Sequence, residues 1–409
     1  MKYDQKQGQN VKPLRVCLVS QRAYPTDPRI SQEILAIQEQ GFKMDLVVWR
    51  NPQQPEFTPP DGIRIYRVPA LRRQRAGKIR YIMEYISFFV PAFFLVALLH
   101  LRNHYDVIHV TNLPDLLVFT SLIPRLLGAK IVFELREITP EMFMDRFSTS
   151  EQSRIIKLMA WLEQRSIDYA HGAITTNPTM LQAVLDRGAD PDKFVITFNV
   201  GDMRITQEPT ILPDTSPIPA GMPFEILSHG TILERQGYAV LIQAMPLILR
   251  SVPDARLTIL GQGPFLPTLI DLVKELDLAE VVSMPGFKSG QDLVNELRKA
   301  HVGVVPVLLN PETAHSQTHK MYEYIHLGIP VIVSRTPAVT STFDDIHLAL
   351  VTPGSVESLA EVIIDLAQNP QKRSALAKNA FNLYEENLNP EQQRRNYINL
   401  LTRLTGTSS

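Results

Sequence analysis

The chain has 409 residues, 44% of them hydrophobic and 20% charged, which excludes wholesale disorder and fits two or three domains, each able to bury a core. Lysine and arginine total 41 against 42 aspartates and glutamates, a formal net charge of -1 that excludes a whole-chain cationic nucleic-acid binder, so no nucleic acid is expected as a partner. The single cysteine, Cys17, lies in an apolar run and reads as a buried thiol, which excludes a disulfide scaffold and a cysteine-based zinc site.

Residues 1–15 are polar and lack an apolar h-region, so a cytosolic, reducing location without a secretory signal is expected. Residues 15–20 read as a first strand, 29–40 as a helix stopped at Gly41, and 44–49 as the next strand. From Arg64 to Arg80 there are seven basic residues and no acidic one, and an apolar run follows at 86–99. That run has 14 residues and contains Pro91, short for a transmembrane span, so it reads as a core or interfacial helix. A basic segment beside an apolar helix suits an anionic membrane surface; a solvated loop leading into a core helix explains it equally simply. Buried strands are expected at 106–110 and 129–133 around a helical stretch at 114–127, then at 173–176 and 194–198.

Five prolines between Pro209 and Pro223 mark a linker. Beyond it, strands are expected at 225–229, 256–260, 281–284, 303–307 and 331–334, with helices at 238–250, 265–276, 291–299 and 319–327. The tail from 390 has helical spacing and is expected to pack back on the first domain. Strand–helix alternation implies parallel sheets covered on both faces. The expected architecture is α/β: two Rossmann-like, doubly wound domains facing a central cleft, at 1–208 and 224–389, joined by a linker at 209–223 and closed by a helix at 390–409.

Ligands of such sheets sit beyond the carboxyl ends of the strands. After the first strand of the second domain comes Ser228-His229-Gly230-Thr231, then Glu234-Arg235-Gln236-Gly237. A glycine there lets backbone N–H groups approach a phosphate, and Arg235 offers a permanent forked cation. A plain turn with a solvated arginine has the same sequence. In residues 318–330, Lys320 would lie in the first turn of a helix and Glu323 one turn on, about 5 Å along the axis. A cation and a helix N-terminus for a diphosphate, with a carboxylate for ribose hydroxyls, make a nucleotide clamp that needs no metal. An ordinary ion pair on a helix surface is the alternative. His315 and His319, four apart, could share a helix face as metal ligands do, but no His-Glu-x-x-His pattern accompanies them, and no metal site is expected.

Taken with Gly261-Gln262-Gly263-Pro264, Asp27-Pro28-Arg29, Asn112-Leu113-Pro114-Asp115, Asn199 and Asp202, these segments resemble glycosyltransferase family 4, retaining enzymes of the GT-B fold. The resemblance runs over essentially all of the chain after Arg15. It implies transfer of a sugar from a nucleoside diphosphate to a saccharide or lipid-linked acceptor in polysaccharide or glycoconjugate biosynthesis, without a metal or other cofactor. It implies donor binding by Gly230, Thr231, Arg235, Gly263, His315, Lys320 and Glu323, and catalytic roles for Arg235, Lys320 and Arg136; Glu137 reads equally as a catalytic residue that orients an acceptor hydroxyl and as a core or capping carboxylate. The chain departs from the family pattern where Thr231 replaces a frequent arginine, Gln236 a lysine, His315 a glutamate and Arg136 a histidine. Those departures keep open a GT-B binding protein without turnover, and the fold alone also admits a nucleotide-sugar epimerase. A peripheral position on the inner face of the plasma membrane follows if the basic segment meets lipid.

Overall fold

Runs of valine, isoleucine and leucine buried on both faces form the central strands of two sheets, as parallel sheets covered by helices require. The computed structural model describes residues 13–25, 27–52, 58–71, 78–147, 149–200, 208–213, 215–216, 218–219 and 221–407, with the backbone alone for 78–82. Arg72, Arg73 and Arg75 of the basic segment, and Asp202, lie outside the described residues.

The first half runs β1 (Arg15–Ser20), α1 (Pro28–Glu39), β2 (Lys43–Trp49), β3 (Ile63–Val68), α2 (Lys78–Asn103), β4 (Val107–Thr111), α3 (Leu122–Leu126), β5 (Lys130–Glu134), α4 (Thr139–Phe147), α5 (Arg154–Tyr169), β6 (Gly172–Thr175), α6 (Pro178–Leu185) and β7 (Phe194–Ile196). The second runs β8 (Phe224–His229), α7 (Tyr238–Ser251), β9 (Ala255–Leu260), α8 (Leu266–Glu275), β10 (Val282–Gly286), α9 (Gly290–Leu297), β11 (Val302–Val305), α10 (His319–Leu327), β12 (Val331–Ser334), α11 (Pro337–Thr340), β13 (Ala349–Val351), α12 (Val356–Gln368), α13 (Pro370–Leu383) and α14 (Pro390–Thr405). The sheet orders are β3-β2-β1-β4-β5-β6-β7 and β10-β9-β8-β11-β12-β13, with parallel pairing throughout both. Each order reverses beside its first strand, between β1 and β4 and between β8 and β11. Those are the crevices where α/β sheets take ligands.

Two local differences from the expected elements stand out. The stretch expected as one helix at 114–127 is a 3-10 turn over Asp115–Ser121 followed by the short α3. There the hydroxyls of Thr120 and Ser121 donate to carbonyls three residues back, favouring the tighter winding. The apolar run belongs to a helix of 26 residues, α2, which contains Pro91. Its Met83–Asn103 part is long and apolar enough, by length and composition, to cross a membrane. Here Phe88, Ala92, Val96 and Leu99 bury one face of it in the core of the first half. Strands β3 and β13 and helices α12 and α13 complete the edges.

Helix α14 lies against α1 and β7, where Tyr397, Ile398, Leu400 and Leu401 enter the core beneath the first sheet. The connecting segment is pinned to the end of α10. Thr210 donates to the His326 carbonyl at 2.7 Å, and His326 Nε2 lies 2.8 Å from the Glu208 carbonyl. Gly328 ends α10 at φ 79°, and a β-carbon there would sit 2.4 Å from the Ile211 carbonyl oxygen. Both the turn and the close approach of the chain therefore require glycine.

Candidate active site

At the end of β8 the chain turns through Gly230 with φ 125°, a conformation that favours glycine. The side chain of Lys320 lies across it, so a β-carbon at Gly230 would be 3.0 Å from Cδ and 3.1 Å from Nζ of the lysine. Lys320 occupies the first turn of α10 and is buried. Its Nζ donates to Gln236 Oε1 at 2.6 Å and to the Tyr238 hydroxyl at 3.3 Å. Burial draws the lysine pKa down to about 8, against the opposing pull of Glu323. Thr318 precedes the helix in extended conformation, and its buried hydroxyl makes no capping bond and has no other partner. The N-terminus of α10 thus brings first-turn N–H groups and a buried cation to one place, the requirement for holding an anion.

One turn further, Glu323 is buried with Oε2 3.3 Å from His229 Nε2. Burial, with the charges of Lys320 and His319, holds His229 well below its ordinary pKa, so this imidazole is neutral. Arg235 reaches over from the turn after β8 and pairs with Glu312 at 3.0 Å. Glu312 is pushed up to about 7 by burial and by the facing carboxylates of Glu137 and Asp145, while Arg235 pulls it down.

His229, Gly230, Arg235, Gln236, Thr318, Lys320 and Glu323 line a cleft of about 1750 Å³ between the two halves. Gly230, Thr231, Arg235, Lys320 and Glu323 stand on one wall, and Pro28, Glu137 and Asn199 on the other. Glu137 accepts from Arg22 at 2.8 Å. An adjoining polar cavity of about 580 Å³ shares Glu137, Asn199, Ser316 and Gln317 with the cleft and adds Glu141, Thr176, Glu312 and His315. His315 is therefore near the cleft but outside its lining, with Nδ1 3.0 Å from the Pro311 carbonyl. Its own carbonyl accepts from Asn177 of the first half at 2.9 Å.

Three of the residues singled out in the sequence have surroundings that the sequence does not announce. The Arg136 side chain is wholly buried, with all three nitrogens engaged: Nε with Glu134 at 2.8 Å, Nη1 with Asp27 at 2.6 Å and Nη2 with Glu33 at 3.3 Å. It holds this carboxylate cluster together and also lines the smaller polar cavity beside Glu137, so its charge serves the fold as well as facing that cavity. Gly263 does not line the cleft. A β-carbon there would fall 2.1 Å from the Ile232 carbonyl oxygen, so its smallness serves the packing of one loop on the next. His315 and His319 do not share a helix face, because extended residues at Ser316 and Thr318 separate the turn that ends at His315 from α10. The one metal-like cluster among the described residues is Glu33, His109 and Glu134, and Arg136 already bonds to both carboxylates there.

The comparisons with known proteins agree with this geometry. Residues 216–383 match the family described as "Glycosyl transferases group 1", and residues 26–199 match "Glycosyl transferase 4-like domain". The chain belongs to the family 4-like glycosyltransferases of the GT-B fold.

This family 4-like chain is 25% identical over 223 residues to a GDP-mannose-dependent monoacylated alpha-(1-6)-phosphatidylinositol monomannoside mannosyltransferase of Corynebacterium glutamicum, covering 54% of this chain and 55% of the relative. It is 26% identical over 168 residues to the alpha-monoglucosyldiacylglycerol synthase of Acholeplasma laidlawii, 38% of each chain. It thus spans about half or less of the length of these curated relatives. In fold it resembles sucrose-phosphate synthase from Thermosynechococcus elongatus, with a TM-score of 0.75, 18% identity and coverage of 97% and 100%. Anabaena HepE in complex with UDP gives 0.71, 14%, and 96% and 100%.

Sequence reasoning did not single out Gln236, Tyr238, His229, Thr318 or Glu312 as site residues of this glycosyltransferase. Gln236 and His229 stood inside segments already selected, and the distance from the turn to α10 is what reveals their part. Glu312 carries no local signal at all, since its partners Arg235 and Glu137 are remote in sequence.

Proposed function

We propose that the protein is a retaining glycosyltransferase that moves a hexose from a nucleoside diphosphate to a saccharide or lipid-linked acceptor. The observation that carries this reading is the buried Lys320 ammonium lying across Gly230 at the open N-terminus of α10, with Glu323 one turn away. Cleavage of the bond between the anomeric carbon and the diphosphate leaves negative charge on the departing group. Lys320, Arg235 and the N–H groups at the start of α10 are placed to stabilise it in a restricted cleft, where fixed cations act most strongly. Arg235 must exchange Glu312 for the phosphate to take part. Glu323 accepts from the donor ribose hydroxyls, with neutral His229 at its side.

In this reading the acceptor oxygen attacks on the face the diphosphate leaves. A carbon–oxygen bond forms to the acceptor as the one to the phosphate breaks, and the acceptor proton passes to the departing phosphate oxygen. No protein nucleophile and no metal enter the balance. Glu137, on the opposite wall beside the smaller cavity, orients the acceptor hydroxyl. A lipid-linked acceptor is favoured by relatives named for transfer to phosphatidylinositol mannosides and for a glucosyldiacylglycerol. It would place the enzyme on the cytoplasmic side of a membrane, in glycolipid or polysaccharide assembly.

The test is calorimetric binding and hydrolysis over a panel of UDP-, GDP-, ADP- and TDP-hexoses, with Lys320→Ala and Glu323→Ala as controls. Slow hydrolysis lost in both variants supports transfer. Tight binding without turnover, with candidate acceptors supplied, would instead make the chain a binding protein, the reading that Thr231, Gln236, His315 and Arg136 keep open by departing from the family pattern. Interconversion of two nucleotide sugars without an acceptor would make it an epimerase, and absence of binding to every donor would overturn all three.

A further inference from the structure

Eleven of the twenty exposed large hydrophobic side chains among the described residues lie on one layer, the outer surface of α2, α3, α5 and the 3-10 turn before α3. On α2 they are Met83, Ile86, Val90, Phe94, Leu98 and Leu101. Steps of three and four residues keep them on one helix face, opposite the buried Phe88, Ala92, Val96 and Leu99. The helix is therefore apolar on both sides, with one side fixed to the sheet and the other uncovered. That buried side also means that α2 lies along the surface of the first half. Next to it α3 exposes Leu122 and Leu126, the latter at 73%, and α5 exposes Leu158 and Trp161. The opposite layer, α1 and α14, exposes no large hydrophobic side chain among the described residues.

The charge around this surface is basic. Arg102, Arg125, Arg154, Lys157 and Arg165 are exposed on the same three helices. Their exposed acidic counterpart is Asp168, which is paired with Arg165; Glu163 is buried against Arg187, and Glu84 is half-buried at the cleft end of α2. A continuous apolar strip with a positive rim, in a chain whose net charge is -1, is complementary to an anionic lipid surface. A second copy of the chain would bring the same positive rim against itself.

We propose that the α2–α3–α5 surface docks the protein flat on an anionic membrane, with the N-terminal end of α2 directing lipid-linked acceptor toward the cleft. Helix α2 follows β3 and so starts at the carboxyl edge of the sheet, the edge that faces the cleft. Near that start Gln21 donates to the Glu84 carbonyl, and Tyr85 packs with Phe143 and Phe147 of α4, the helix that carries Glu141 and Asp145. A headgroup held at the lipid plane there is delivered beside Glu137. Docking deepens the acceptor side of the proposed function, yet it stands or falls separately, because vesicle binding needs no donor and donor binding needs no vesicle.

The experiment is cosedimentation of the full chain with phosphatidylglycerol–phosphatidylcholine vesicles and with phosphatidylcholine vesicles alone, together with tryptophan emission. Binding to the anionic vesicles, weakened by salt, is expected, with a blue shift that disappears in Trp161→Phe. Phe94→Glu with Leu126→Glu changes two exposed side chains and is expected to lower vesicle partitioning by about tenfold or more, while donor affinity and Tm stay unchanged. Arg125→Gln with Lys157→Gln is expected to weaken binding to anionic vesicles several-fold and to leave the neutral ones unaffected. Equal partitioning of the parent and the double glutamate variant would overturn the proposal, as would failure to bind anionic vesicles. A concentration-dependent dimer broken by the glutamate pair, with no vesicle binding, would assign the face to a second copy instead.

Discussion

Lys320 and Gly230 act as one unit: the lysine stem occupies the space where any side chain at 230 would stand. Gly230→Ala therefore has two effects. It strains a backbone held at φ 125°, and it pushes the ammonium out of line with the start of α10. Donor affinity should fall by about the amount that Lys320→Ala causes, ~2–3 kcal/mol, since a charge-assisted contact is lost in both. The double variant should lose little more than either single one, because one contact cannot be removed twice. Additive losses in calorimetric titrations would separate the two residues.

The buried lysine also sets a pH dependence. Its pKa near 8 lies below the ordinary lysine value because burial disfavours the charged form. A base with a lowered folded pKa destabilises the fold while charged. The cost is full below pH 8 and is relieved as pH rises from 8 toward the unfolded value. Lys320→Met should thus raise the stability of the ligand-free protein at pH 7, by about 3 kcal/mol at most, while abolishing donor binding. A diphosphate restores the lysine proton. At pH 8.5 the parent should take up protons on binding a nucleotide sugar, seen as a dependence of binding heat on buffer ionisation enthalpy. The lysine's share of that uptake should vanish at pH 6.5, where Lys320 is already charged before the donor binds.

The extent to which sequence anticipated this site follows from how local each signal was. Strands β1 and β12 and helix α10 were bounded correctly because apolar runs and glycine stops are local features. Lys320 and Glu323 were legible for the same reason, as spacing within one helix. The surroundings of Arg136 were not legible because nothing near it in sequence announces Asp27 and Glu33, which the topology of β1, α1 and β5 brings to its guanidinium. The packing of Gly263 against Ile232 was not legible either, because a glycine that admits a ligand and one that admits a neighbouring loop look alike in sequence. The outward stripe of α2 escaped because its apolar residues surround the helix, and only packing decides which side meets the sheet.

Glu312 competes with substrate for Arg235. Its carboxyl, buried and faced by Glu137 and Asp145, is about half protonated near pH 7, and protonation loosens its hold on the guanidinium. Affinity for a nucleotide sugar, whose diphosphate stays ionised over this range, should therefore rise as pH falls through 7. Glu312→Gln should bind several-fold more tightly than the parent at pH 8, by about 1 kcal/mol, and should lose the dependence around pH 7. A variant that keeps the parent's profile would show that Arg235 does not exchange partners.

Arg136 is the sharpest contrast between a charged residue in a cleft sequence and one that serves the fold. Glu134 is held down to about 2 chiefly by Arg136 and His109, which outweigh the opposing effect of its burial; Asp27 is held below the ordinary range in the same way by Arg136, Arg29 and Arg22. Burial and the neighbouring Glu134 push Glu33 well up, so that side chain is protonated. Depressed carboxyl pKa values contribute stability that is present above the unfolded values near 4 and is lost as pH falls through the folded ones. Arg136→Met leaves these carboxylates buried without their cation and should cost about 3–5 kcal/mol at pH 7. The deficit should shrink toward pH 4, where the parent begins to lose the same stabilisation and the variant's carboxyls are already neutral. Denaturant unfolding at the two pH values gives the difference directly. Donor affinity at 10 °C, in the fraction that remains folded, should change by less than about threefold, because no Arg136 nitrogen points at the donor site. A large loss of affinity with stability intact would return Arg136 to the substrate, and the cluster would then have to be read as part of the catalytic cleft.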